Sequence, residues 1–158
     1  MKPERGGSRV PVSAAGDGHR ALRSVFVWQV LSALLLLTMG GIHLYLALKG
    51  AGTLGKPFWL NAVGGLVLAI AIVVLRGRLL LLASVLSTLF MAGTLLALVL
   101  ALTVGLFGIH EVLSYRPVPP TLVVESIGTI VLAVTTALLY QTMRGSQTQS
   151  PTRGLNLR

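Results

Sequence analysis

Apolar residues gather in four near-continuous stretches, 24–48, 57–75, 79–104 and 120–140. Each is about 20 residues or longer, the length a helix needs to cross the hydrocarbon core of a bilayer. Punctuation marks their ends. Lys49 and Gly50 close the first, Pro57 opens the second, Arg76-Gly77-Arg78 parts the second from the third, and Pro117-Val118-Pro119-Pro120 precedes the fourth. No ten-residue stretch alternates apolar and polar positions as a barrel strand would, and a lipid interior leaves no water for unpaired backbone groups, so each stretch is expected to be a helix. Loops of about eight residues or fewer join the first three spans, which makes them antiparallel neighbours. The predicted fold is all-α: an integral membrane up-down-up-down four-helix bundle, residues 24–143, between a basic disordered tail at 1–23 and a second at 144–158.

Composition agrees, because a chain of 158 residues with 54% hydrophobic and 11% charged residues has more apolar surface than one small water-soluble core conceals. The first apolar run is longer than a signal-peptide core and is expected to remain as an uncleaved anchor. The formal charge of +9 does not imply nucleic acid, since the basic residues cluster at span ends and in the tails and form no stripe interleaved with aromatics. Topology accounts for it. With the N-terminus inside, ten of the 13 Lys and Arg residues fall on the cytoplasmic side, leaving only Lys49, Lys56 and Arg116 outside. This positive-inside bias places both termini in the cytoplasm of a multi-pass cell-membrane protein. Trp28, Tyr45, Trp59 and Tyr115 fit aromatic belts at the two interfaces.

Small and polar residues decide which helix faces meet in lipid, where the hydrophobic drive between helices is weak. Steps of three and four align Gln29, Ser32, Leu36, Gly40 and His43 on the first span, and Thr121, Glu125, Gly128, Leu132 and Thr135 on the fourth. The third carries Ser87, Met91, Thr94, Leu98, Ala101 and Gly105, and the second Asn61, Gly65 and Leu68. His43 stands five residues before the end of its span and Glu125 five after the start of its own, so both lie about 7 to 8 Å beneath the outer surface. Asn61 is near the same level. These three residues form a candidate outer polar layer, with His110 and Glu111 from the third link as a candidate lid. The link itself, 105–119, is expected to be an interfacial turn or short helix.

Three chemistries fit that layer: a His43–Glu125 hydrogen bond that fixes helix register, proton or divalent-cation handling by the imidazole and carboxylate, or separate contacts of each residue with headgroup water. Other chemistry is less well supported. Gly50-Ala-Gly-Thr-Leu-Gly-Lys56 matches phosphate-loop spacing, but Pro57 replaces the required Ser or Thr, and no strand precedes it. Absence of cysteine excludes disulfides, thiolate metal sites and covalent haem attachment. Haem held by His43 and His110 would need both rings at one level inside the helices, whereas His110 falls in the link. Ser114 near His110 and Glu111 lacks any nucleophile motif.

The segments GGIHLYLAL (40–48), FWLNAVGGLVLA (58–69) and LTVGLFGIHEVLSYRPVPPTLVVESIGTI (102–130) resemble those of small four-span integral membrane proteins of high-GC Gram-positive bacteria. The resemblance covers about 24–140 and implies a bacterial plasma membrane and four helices; that group has no assigned biochemical role, so no residue role is carried over. The expectation is therefore a non-enzymatic structural or accessory membrane component, without cofactor, nucleotide or nucleic acid. Its partners are the lipid bilayer and either another membrane protein or a second copy. The alternative is a proton- or divalent-metal-handling transporter or sensor component.

Overall fold

Near-continuous apolar sequence leaves the backbone to satisfy its own hydrogen bonds, and the chain does so in four helices: α1 (Ala14–Leu48), α2 (Gly55–Val74), α3 (Gly77–Thr103) and α4 (Val118–Thr148). The computed structural model describes residues 14–49, 55–106, 110, 112–114 and 116–148, with the side chains of 14–22 and 146–148 outside that description. All four helices are long and apolar enough to span a membrane. Helix α1 reaches into the stretch read as a tail, and α4 continues past Tyr140. The rest of both tails, residues 1–13 and 149–158, lies outside the described residues.

Each helix end has a local cause. Arg76, in extended backbone, donates from one guanidinium nitrogen to Val73 O at 2.7 Å and Leu75 O at 2.9 Å, satisfying carbonyls that the end of α2 leaves open. Gly77, at φ +57°, then turns the chain directly into α3. At the other end of α3, Gly105 takes φ +83° and returns its N–H to Leu100 O at 2.9 Å. Pro119 and Pro120 lie within the first turn of α4, where their missing N–H groups would have had no helical partner. Pro117 O, just before them, accepts both the N–H of Thr121 at 3.2 Å and its hydroxyl at 2.7 Å. Between α3 and α4 the described residues include turns at 113–114 and 116–117, with no helix among them.

Gly105 yields a first prediction. A Cβ there would sit 2.6 Å from His110 Nε2 and would also force a side-chain-bearing residue into the left-handed region. Gly105→Ala is expected to cost about 1–2 kcal/mol and to displace the His110 ring. Detergent unfolding and the imidazole NMR resonances of His110 read the two effects separately.

Helix α1 packs against α2 and α4, α3 packs against α4, and α2 meets α3 more lightly. The closest approach is between glycines. A Cβ placed on Gly65 would lie 2.9 Å from Leu36 O and 3.3 Å from Gly40 Cα, so the α1 and α2 backbones touch there. Met91 packs on Gly128 across the α3–α4 interface, and Phe90 lies over Gly64 across the lighter α2–α3 one. Ser32, Leu36, Gly40 and His43 on α1, and Thr121, Glu125, Gly128, Leu132 and Thr135 on α4, are all buried, as their spacing predicts. Helix α2 departs from expectation. It buries Ala62, Gly65, Ala69 and Ile72, while Asn61 and Leu68 flank that face half-buried, because the α1 backbone at Leu36 and Gly40 comes up against Ala62 and Gly65. Large apolar side chains such as Leu34, Leu60, Val67, Leu89 and Ile130 point outward. Such surface suits lipid and would promote aggregation in water.

Candidate functional site

The buried faces of α1 and α4 bring His43 and Glu125 together inside the helix assembly. Their Nε2 and Oε1 atoms are 3.8 Å apart, and Glu125 is only 1% exposed. The orientation of the imidazole is fixed one turn below. His43 Nδ1 lies 3.0 Å from Met39 O, and since a carbonyl only accepts, Nδ1 carries the hydrogen. In the neutral ring, Nε2 therefore presents its lone pair to Glu125. The gap is longer than a direct hydrogen bond.

Neither Glu125 oxygen has a hydrogen-bond partner, although both are buried. Thr94 of α3 faces the same carboxyl without reaching hydrogen-bond geometry, and its hydroxyl donates instead to Met91 O at 2.9 Å. From α2, Phe58 sets its ring edgewise against His43, with centroids 5.5 Å apart and planes at 68°. The pair is thus held between an aromatic edge, a backbone carbonyl and a hydroxyl committed elsewhere. A group so enclosed has a choice of two low-cost states, protonated or paired, because a bare carboxylate out of water is costly.

The structure unites two of the three residues of the candidate layer. Asn61 is half-buried on the flank of α2 and makes no hydrogen bond to either partner. His110 is exposed and lies against Gly105 at the end of α3, and Glu111 lies outside the described residues. Sequence reasoning missed Phe58, which nothing distinguishes from any other apolar residue at a span entrance. Thr94 stands on the inward stripe of α3, and that stripe is the available signal. Among the described residues no group of three or more His, Asp or Glu side chains gathers as a metal cluster.

Below the pair, Leu36, Met39, Met91 and Leu132, all fully buried, form an apolar plug. Beyond it lies a second polar region made of hydroxyls. Ser32 of α1 meets Thr135 of α4 at 2.9 Å, and Thr136 of α4 meets Ser84 and Thr88 of α3 at 2.8 and 3.1 Å. Gln29 Nε2 donates to Ile72 O of α2 at 3.4 Å. Ser84, Thr88 and Thr136 belong to none of the stripes read from the sequence. The Thr88 hydroxyl also donates to Ser84 O at 2.8 Å and that of Thr135 to Val131 O at 2.8 Å, so the cluster joins helices while staying tied to the helix backbones. The two polar regions are about 16 Å apart along α1, from His43 to Ser32. No family model matches the chain, and neither does any curated protein or solved structure.

Proposed function

We propose that this chain is a non-enzymatic, multi-pass component of the cell membrane, an up-down-up-down four-helix bundle with both termini cytoplasmic, in which the His43–Glu125 pair locks α1 to α4. The observation that carries the reading is that pair, enclosed between two helices that also meet at Ser32 and Thr135. Contacts between neighbouring helices match rising with falling residue numbers, His43 with Glu125 and then Ser32 with Thr135, which supports the antiparallel order. The basic bias supports the orientation. The Thr94 hydroxyl that faces the pair is spent on Met91 O. The resemblance to four-span proteins of high-GC Gram-positive bacteria is consistent with this assignment to a plasma membrane.

A second reading is favoured by the two orphaned carboxyl oxygens: Glu125 and His43 exchange a proton with one side of the membrane, as part of a sensor or transporter. The apolar plug argues against conduction through the chain alone. Glu125→Gln separates the readings, because the amide keeps the shape and donates to Nε2 but holds no exchangeable acid proton. Under the structural reading, assembly and unfolding in detergent change by less than about 1 kcal/mol, and proton uptake on acidification in weak buffer equals that of the parent. Loss of a proton from that uptake, with assembly intact, would establish the second reading. Collapse of the assembly would show that the lock needs the charge or the proton of the carboxyl, which the amide lacks.

A further inference from the structure

Opposite its buried face, α1 borders a groove of about 480 Å³, lined on one side by Thr38, Gly41 and Tyr45 and on the other by Arg116 and Pro117 at the approach to α4. Its floor is apolar for specific reasons. Gly41 has no side chain, and a Cβ added to it would meet nothing within 4 Å. The Thr38 hydroxyl is occupied by Leu34 O at 2.8 Å, which leaves its methyl group as the available surface. The mouth has the opposite character. Arg116 is exposed there and has no ion pair or hydrogen bond among the described residues, and Tyr45 lines the same groove with its phenol. Lys49 stands over the Tyr45 ring at 5.5 Å and adds a second positive charge one turn further on.

We infer that this groove binds an anionic phospholipid of the outer leaflet, with the phosphate at Arg116 and Lys49 and an acyl chain along Gly41 and Thr38. Charge complementarity selects the occupant. An exposed guanidinium at the end of an apolar helix meets phosphate oxygens more readily than any other abundant group at that level, and it binds them in a two-pronged geometry. Tyr45 is suited to the same depth, with an apolar ring and a polar tip at the headgroup level. Arg116 and Lys49 are also two of the three basic residues that the charge bias leaves outside, where no topological role explains them. The inference rests on reading α1 and α4 as membrane spans.

The test uses the full chain in nanodiscs of equimolar phosphatidylglycerol and phosphatidylcholine with identical acyl chains, released gently and weighed by native mass spectrometry. The parent is expected to retain phosphatidylglycerol in preference, and Arg116→Gln to lower that preference about five-fold, the factor one basic residue near an anionic surface contributes. Gly41→Leu fills the floor and is expected to lose the retained lipid whatever its headgroup, with helical content and elution volume unchanged. Equal retention of both lipids by the parent, or undiminished preference in Arg116→Gln, overturns the site while leaving the membrane reading in place. Recovery of the chain from the aqueous fraction without detergent overturns the membrane reading and the site with it.

Discussion

Gly65→Leu is expected to drive α1 away from α2 and to remove about 3 kcal/mol of stability, the upper end of the usual cost of overfilling a packed interface. The reason is what a side chain would strike. At Gly65 the first added atom already lies 2.9 Å from Leu36 O and 3.5 Å from Gly40 N, both backbone atoms that cannot rotate aside. Relief requires translating a whole helix. Doing so also loosens Gln29 from Ile72 O and the Phe58 edge from His43, because all three contacts join the same two helices. Gly93→Ala is the matched control, since a Cβ there meets nothing within 4 Å and alanine is the better helix former. It should be neutral or slightly stabilising. Reversible unfolding of both variants in one detergent gives the comparison, and equal stability of Gly65→Leu and parent would show that the helices do not touch at this point.

Helix existence was legible in the sequence because apolar length is a nearly sufficient signal for a helix able to cross a membrane, and the small residues of α1 and α4 gave their inward faces directly. The rotation of α2 was not. Polarity points Asn61 inward, whereas the actual constraint is steric: Gly40 can approach only where Ala62 and Gly65 stand, and the helix turns to put them there. Depth counting paired His43 with Glu125 because both lie on the inward faces of helices that touch. It failed to anticipate Phe58 and the hydroxyl cluster. An edgewise ring depends on how two helices rotate against each other, and Ser84, Thr88 and Thr136 meet only once the α3–α4 register is set, which no single-helix periodicity contains. His110 shows the converse limit, for its position over Gly105 goes with a left-handed glycine five residues earlier.

Replacing His43 alone by Leu is expected to cost about 3 kcal/mol, because it leaves the Glu125 carboxyl buried with no partner on any side. Adding Glu125→Leu to that variant should recover most of the loss. Removing both members of a buried polar pair takes away the unsatisfied group together with the interaction, and two leucines fill similar space beside Met39 and Met91. Recovered stability would come with a different loss. If the pair sets the register of α1 on α4, the double variant slides more freely, and stability and register part company. The chain contains no cysteine, so a Ser32→Cys, Thr135→Cys pair, at positions whose oxygens are 2.9 Å apart, reports register by its yield of disulfide on mild oxidation. High yield is expected in the otherwise unaltered chain and reduced yield in the His43→Leu, Glu125→Leu background at equal stability. Undiminished yield there would assign register to the glycine contacts and the hydroxyl cluster, and would leave the orphaned carboxyl oxygens to proton chemistry.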